Sequence, residues 1–327
     1  MSLRDLTTIK SSNLGLGIDA GGSCTRWSLV DTAGREFGRG EGPPLTGHLG
    51  QSRDRSENLA KFDQILTAVL ESARPVAVVA GITGLHAGTE AADLFRRAAL
   101  RKLRLQREHV HILNDMDIAY ASAFAPGKGV LVYAGTGSVG YHVRADGSSV
   151  SVGGHGALVD DAGAAYWIGH EGLKQTLRWA DELGRPSDAR LAREIYRNLG
   201  STAWPDINER LYENGRSRVA SLAPAVHRAA QQGDAVAMNI FAGAGRELAR
   251  LARLVLERLS EPLPVALAGG TVAAGPLLTQ AFAASLTDVP WRVAYLDPVG
   301  AAAHLALQFV PSRPSRKAKA GVVPWKS

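Results

Sequence analysis

A three-stranded pattern occurs twice in this chain. Over residues 14–40 an apolar strand runs into a glycine-rich turn, and a second strand, a tight turn and a returning strand follow it. Residues 129–153 repeat the same order of apolar strand, glycine-rich turn, strand, tight turn and strand. Such self-similarity predicts a duplicated architecture, so we expect two α/β halves of similar topology.

Helical periodicity follows each copy of the pattern. The remaining predicted segments of the first half are a helix at 57–72, a strand at 76–82, a helix at 90–105 and a strand at 109–113. Those of the second half are helices at 163–181, 190–198, 217–231, 235–259 and from Pro276, with a strand at 263–268 before the last of these. A final helix is expected from Pro298. The predicted domains are therefore 1–117, joined by the returning helix 298–310, and 118–297, with a basic tail over 311–327.

Length, charge and cysteine content limit the classes of protein to consider. A chain of 327 residues is long enough for two domains. No apolar run approaches the roughly 20 residues that cross a bilayer, and a single cysteine, Cys24, fits a reducing compartment. We therefore expect a cytoplasmic protein with no membrane partner.

The basic residues are concentrated at the end of the chain. The five cations of the tail account for most of the net charge, which falls from +6 to +1 without them. A near-neutral body with a short basic tail does not predict a nucleic-acid surface on the folded part. We expect the tail itself to be solvated and disordered.

Three glycine-rich turns carry the chemistry of the chain. Each follows an apolar strand and includes a hydroxyl residue; the turns are Asp19–Ser23, Gly135–Ser138 and Gly269–Thr271. Turns of this kind let backbone amides approach a phosphate, although a single one is more typical of a plain hairpin. No Walker A sequence is present, and Gly15-Leu-Gly17 runs into a strand rather than the helix of a dinucleotide fingerprint.

Asp115 is the candidate general base. It stands at a predicted corner between a strand and a helix, and phosphoryl transfer needs a carboxylate to accept the proton of the attacking hydroxyl. An aspartate at this place could instead cap the helix, a role that its neighbour Asn114 could also fill. Asp117 is interpreted as a first-turn helix charge.

Taken together, Asp-Ala-Gly-Gly-Ser at 19–23, Asn114-Asp115, Gly-Thr-Gly-Ser at 135–138 and the late Gly-Gly-Thr at 269–271 resemble the motifs of the actin, Hsp70 and sugar kinase superfamily. Within it, Gly-Gly-His-Gly at 153–156 and the segment 161–168 are similar to N-acetylglucosamine kinases and the BadF/BcrA-type ATPase family. The resemblance spans residues 14–304. It implies two duplicated RNase H-like, actin-like ATPase domains around an interdomain ATP cleft.

The resemblance also implies roles for individual residues. Asp19 matches the position that helps to hold Mg²⁺, and Asp115 matches the catalytic base that also contacts the sugar. The positions that match ATP-binding residues are Gly21, Gly22, Ser23, Gly135, Thr136, Gly137, Gly245, Gly270, Thr271 and Gly275. The positions that match or neighbour sugar-binding residues are Gly47, His48, Gly154, His155 and Asp161.

Three positions depart from the family pattern. The chain has Thr46-Gly47-His48 where the eukaryotic N-acetylglucosamine kinases have Thr-Asn-His, His155 where a tryptophan is expected, and Ala162 where a glutamate is expected. The resemblance implies that all three fall at or near the sugar. The reaction type is therefore better supported than the identity of the acceptor.

The function expected from the resemblance is ATP- and Mg²⁺-dependent phosphorylation of an amino sugar, N-acetylglucosamine to its 6-phosphate first and glucosamine second, by a chain that could form a homodimer. A nucleotide-switched ATPase without a sugar acceptor is the alternative. An activator ATPase with a shared iron–sulfur cluster would need two cysteines per subunit, whereas this sequence has Cys24 alone. A sugar-responsive repressor would need a DNA-binding helix pair before the first strand.

Overall fold

The computed structural model of the protein describes residues 13–47, 49, 52–86, 88–272 and 275–310, without the side chains of Ser52 and Asn214. The predictions made for His48 and for the basic tail lie outside these residues.

Ten strands and ten α-helices are found in the described part of the chain. The strands are β1 (Gly15–Ala20), β2 (Thr25–Val30), β3 (Glu36–Gly42), β4 (Ala77–Ile82), β5 (Val110–Asn114), β6 (Val130–Ala134), β7 (Ser138–Val143), β8 (Ser149–Gly153), β9 (Val265–Ala268) and β10 (Trp291–Val293). The helices are α1 (Ser52–Ser72), α2 (Glu90–Leu103), α3 (Asp115–Ala123), α4 (Ala165–Leu183), α5 (Arg190–Leu199), α6 (Trp204–Ala220), α7 (Ala223–Gln231), α8 (Ala235–Leu259), α9 (Pro276–Ser285) and α10 (Pro298–Ala306).

The strands form two sheets of the same topology. The first has the order β3-β2-β1-β4-β5, and the second has the corresponding order β8-β7-β6-β9-β10. In each sheet the first three strands in sequence are antiparallel and the last two run parallel to the first. The duplication predicted from the sequence is confirmed, and the fold class is α/β.

The chain divides into two compact units. One comprises the described residues up to Phe124, Ala145–Gly147 and the described residues from Leu296 onward. The other comprises Ala125–Arg144 and Ser148–Tyr295. The domain limits predicted at 117/118 and 297/298 stay a prediction.

In the first unit, helices cover both faces of the sheet. All six residues of β4 are buried, as expected for a central parallel strand that is covered on both sides. Helix α10 approaches β1 so closely that a Cβ atom at Gly17 would lie 2.3 Å from the backbone of Val299 and Ala303. Only glycine allows this contact, which fixes the strand that ends near Asp19.

In the second unit, α8 packs across the sheet and α9 packs on α8. Asp234 caps α8, since its carboxylate accepts hydrogen bonds from the amides of Val236 and Ala237 at 3.0 Å. The apolar face of α8 includes Phe241, Leu248 and Val255, all of which are buried. The resulting core holds the strands that lead into the second glycine-rich turn.

Two features differ from the sequence prediction. The single helix predicted over 217–231 is wrong, because α6 ends at Ala220 and α7 begins at Ala223. Pro224 lies in the first turn of α7, where its missing amide leaves no helical hydrogen bond unmade. Strand β10 was not predicted.

No helix in the described ranges has both the length and the apolar character needed to span a bilayer.

Candidate functional site

In the first unit, two predicted site residues and a threonine gather where three parallel strands end. Asp19 lies near the end of β1, Thr83 follows β4 and Asp115 follows β5. Because β1, β4 and β5 are parallel neighbours, their carboxyl ends meet at one edge of the sheet. This edge is the usual ligand-binding side of such a sheet.

The side chain of Asp115 is not needed to cap its helix. Asn114 accepts a hydrogen bond from the amide of Met116 at 2.8 Å, and the carboxylate of Asp117 accepts one from the amide of Asn114 at 3.1 Å. This reciprocal capping box satisfies the helix N-terminus. Asp115 accepts a hydrogen bond from the amide of Met116 as well, and the hydroxyl of Thr83 donates to its carboxylate.

The two carboxylates at this edge are electrostatically coupled. Burial first, and then the negative charges of Asp115 and Asp297, raise the pKa of Asp19 to about 6 against the opposing effect of Arg26. Burial also raises the pKa of Asp115, although the hydrogen bonds from Thr83 and Met116 lower it. A bound cation would relieve the cost of keeping both groups ionised.

Mg²⁺ is compatible with these donors. It is usually held by one or two carboxylates, water and the phosphates of a nucleotide rather than by an all-protein cage. Asp19, a partly buried carboxylate next to Asp115, is a donor of this kind. The part of the chain that the structure describes has no cluster of three or more His, Cys, Asp or Glu residues arranged to hold a metal.

The first glycine-rich turn is presented to solvent. Gly22 and Ser23 are exposed at its tip, and the amide of Gly21 donates to the carbonyl of Cys24 at 3.1 Å. The carbonyl of Gly21 in turn accepts a hydrogen bond from Leu45 at 3.3 Å. The tip of the turn is thus free to approach a ligand while its base is anchored.

Gly47 is tied to the same edge and has no room for a side chain. Its amide donates to the carbonyl of Thr83 at 2.8 Å. A Cβ atom at Gly47 would lie 2.6 Å from Cβ and 2.8 Å from Cα of Leu85. The asparagine of the related Thr-Asn-His sequence is therefore not accommodated here.

In the second unit, the second and third glycine-rich turns are joined directly. The hydroxyl of Thr271 donates to the carbonyl of Gly135 at 2.7 Å, and the amide of Ala165 donates to the same carbonyl at 3.0 Å. Thr136 is exposed at the tip of the turn. The hydroxyl of Thr271 thus braces the Gly135–Gly137 turn, and the contact of Thr271 with the nucleoside stays a prediction.

Asp161 lies behind this turn. Its backbone is left-handed (φ 61°), a conformation that aspartate tolerates better than most residues, and its side chain is 2 % exposed. The carboxylate accepts hydrogen bonds from the amide of Ser138 at 3.4 Å and from the guanidinium of Arg216 at 3.0 Å. The amide of Gly154 donates a hydrogen bond to the carbonyl of Ser138, the first residue of β7. His155 is exposed.

The remaining predicted nucleotide positions have different surroundings. A Cβ atom at Gly245 would lie 2.5 Å from Cβ of Ala281, so this glycine permits the close packing of α8 on α9. A Cβ atom at Gly275 would lie 2.3 Å from Nε2 of His227. Gly270 has open space around it. Of these three, Gly270 has the surroundings that best suit direct contact with a ligand.

Sequence reasoning missed Thr83 and Arg216. Thr83 directly follows a buried strand in Gly81-Ile-Thr-Gly84, a pattern of the same kind as the three turns that were singled out. Arg216 has no such signal, because its place is defined by a partner 55 residues away.

Comparison with known proteins agrees with this geometry. The model of the BadF/BadG/BcrA/BcrD ATPase family matches residues 16–287, which is most of the chain. The protein belongs to this family.

Three sugar kinases are similar to this chain. An N-acetylmuramic acid/N-acetylglucosamine kinase from Clostridium acetobutylicum is 31% identical over 166 residues, which are 49% of this chain and only 54% of that enzyme. An N-acetyl-D-glucosamine kinase from Dictyostelium discoideum is 26% identical over 278 residues, which are 80% of this chain and 86% of that enzyme. The crystal structure of a provisionally assigned N-acetylglucosamine kinase from Chromobacterium violaceum superposes with a TM-score of 0.72 at 26% identity, covering 92% of this chain and 100% of that one.

Proposed function

We propose that this protein transfers the γ-phosphate of ATP to a hydroxyl group of an amino sugar, with N-acetylglucosamine as the first candidate and glucosamine as the second. The observation that carries the proposal is the state of Asp115. The capping box of its helix is formed by Asn114 and Asp117, its own carboxylate accepts hydrogen bonds from Thr83 and the amide of Met116, and burial raises its pKa. A buried, oriented carboxylate that the capping box does not require suits proton acceptance.

Each chemical requirement of phosphoryl transfer has a candidate residue. Each unit has a glycine-rich turn with an exposed tip, Gly22 and Ser23 in the first and Thr136 in the second, whose backbone amides and hydroxyls suit phosphate oxygens. Asp19 would hold Mg²⁺, which neutralises phosphate charge when it is bound. Asp115 accepts the proton of the sugar hydroxyl as that oxygen attacks the γ-phosphorus atom and ADP departs.

The kinases that are similar to this chain support N-acetylglucosamine as the acceptor. Phosphorylation at the 6-hydroxyl, contacts of the sugar with Gly154, His155 and Asp161, and the possible homodimer and cytoplasmic location stay predictions. The blocked space at Gly47 argues that any sugar is held without the amide side chain of the related enzymes. The acceptor is therefore the part of the proposal that most needs a direct test.

The test is acceptor-dependent ADP release. Purified protein with Mg-ATP is assayed alone and with N-acetylglucosamine, glucosamine, N-acetylmuramic acid or glucose, and the sugar product is identified by mass. We expect release that depends on an amino sugar and produces a sugar monophosphate. Equal release with and without every acceptor would contradict the kinase and favour a nucleotide-switched ATPase.

A further inference from the structure

Arg216 projects from an interruption in α6. The backbone at Gly215 leaves the helical region (φ 46°, ψ −127°), and the residue after it carries a guanidinium group that reaches Asp161. Nη2 of Arg216 donates to Oδ2 of Asp161 at 3.0 Å. Arg216 therefore projects from α6 at the point where the helix is interrupted.

The guanidinium lies against the second glycine-rich turn. A Cβ atom at Gly137 would be 2.7 Å from Nη2 of Arg216 and 2.6 Å from Oδ2 of Asp161. Any other residue at this position would displace the ion pair. The glycine thus brings a positive charge next to the backbone of a turn whose tip, Thr136, is exposed.

Arg216 and Asp161 differ sharply in exposure. The side chain of Asp161 is 2 % exposed and that of Arg216 is 49 % exposed. Asp161 is also fixed from the other side by the amide of Ser138. A buried, anchored carboxylate therefore orients a cation that is open to solvent.

Most of the guanidinium's hydrogen-bonding capacity is free. Arginine has five N–H donors in a planar fork, and within the described ranges Arg216 makes its one hydrogen bond to Asp161. The remaining donors can bind a phosphate, since the fork matches two phosphate oxygens at once. A guanidinium that only braced the turn through an ion pair would not need these further donors.

We propose that Arg216 binds the terminal phosphates of the nucleotide at the Gly135–Gly137 turn, and that Asp161 is the positioning residue for its guanidinium. The inference rests on the proposed function, because nucleotide binding at this turn is part of it. It adds a cation to a set of phosphate contacts that otherwise consists of backbone amides and hydroxyls.

The test is the affinity for ATP, ADP and adenosine, measured by calorimetry with Mg²⁺ and without any sugar. R216Q should bind ATP and ADP roughly ten- to a hundredfold more weakly and bind adenosine as the wild type does, as expected for losing hydrogen bonds to a charged group. R250Q is the matched control. Arg250 is 48 % exposed and lies 3.9 Å from the neighbouring carboxylate of Asp160, so its removal should leave ATP affinity unchanged.

A double variant separates phosphate binding from the effect of an unpaired buried charge. R216Q alone leaves the buried Asp161 without its partner, whereas D161N with R216Q removes that charge as well. If the weak binding of R216Q comes only from the unpaired buried charge of Asp161, the double variant should recover ATP affinity, and that recovery would overturn the inference. Persistent weak binding by the folded double variant supports it.

The outcomes also separate this inference from the proposed function. Folded wild-type protein that binds no ATP would overturn both. Wild-type protein that binds ATP, together with an R216Q variant of equal affinity, would overturn the role of Arg216 and leave the kinase proposal standing.

Discussion

The hydroxyl of Thr83, at the end of β4, hydrogen-bonds the carboxylate of Asp115 at the end of β5. The bond joins two neighbouring parallel strands at the edge where the first glycine-rich turn also lies. Because Asn114 and Asp117 form the capping box of α3, Asp115 is left to accept hydrogen bonds from Thr83 and from the amide of Met116, and these orient its carboxylate.

Thr83→Val should therefore slow catalysis while leaving nucleotide binding nearly intact. We expect kcat to fall about tenfold and the KM for ATP to stay within about twofold, because the base loses one orienting hydrogen bond. Thr83→Ser keeps the hydroxyl and is the matched control. The hydrogen bond from Thr83 lowers the pKa of Asp115, so its loss should also shift the acidic limb of the kcat/KM profile to higher pH. A valine variant with wild-type kcat and an unshifted profile would remove Thr83 from the account.

Gly47→Asn is expected to destabilise the fold and not to improve sugar binding. The new Cβ atom would meet the backbone and Cβ of Leu85 at under 3 Å, and overpacking of this kind costs about 1–3 kcal/mol. Urea denaturation checks the stability, with Gly22→Asn as the control because Gly22 has open space around it. A stable Gly47→Asn variant with a lower KM for N-acetylglucosamine would show that the family's amide contact can be restored here.

Asp19→Asn should stabilise the metal-free protein at about pH 7.5 and abolish Mg²⁺-dependent turnover. Burial and the charge of Asp115 raise the pKa of Asp19 to about 6, so the ionised carboxylate is destabilising in the folded state. Its neutral replacement should raise the free energy of unfolding by about 3 kcal/mol. Denaturation without Mg²⁺ measures the gain, and an unchanged or lower value would contradict the buried, ionised state of Asp19.

The same raised pKa predicts how this gain depends on pH. Between the unfolded value of 3.8 and the folded value of about 6, the folded protein binds more protons than the unfolded one, so stability falls as the pH rises. The contribution is fully present below pH 3.8 and is lost through pH 6. The advantage of Asp19→Asn should therefore shrink when the measurement moves from about pH 7.5 to about pH 4.5. An equal advantage at both values would assign the effect to packing.

The duplicated sheets could be predicted because the pattern of each copy lies in a short, continuous segment of sequence. An apolar strand and the glycine-rich turn after it occupy about ten residues, and this pattern singled out Asp19, Gly135 and Thr271 as candidate site residues. The same local reading indicated that Asn114 could cap α3, as the structure confirms.

The features that were missed are long-range or weakly patterned. Strand β10 has three residues, of which Arg292 and Val293 are exposed, so no alternation marks it. The break between α6 and α7 was signalled by Pro224, which the helical periodicity around it obscured. The ion pair of Arg216 with Asp161 exists only through folding, because the two residues are far apart in the chain.

The rate of sugar phosphate formation by Asp115→Asn, compared with the wild type, tests the central claim most directly. Asparagine keeps the shape of the side chain but cannot accept the proton, and the cap formed by Asn114 and Asp117 does not depend on it. We predict a folded variant that binds ATP with near wild-type affinity and forms sugar phosphate about two to four orders of magnitude more slowly. A soluble Asp115→Asn variant that keeps most of the wild-type rate would contradict the account, because Asp115 would then have no part in the transfer.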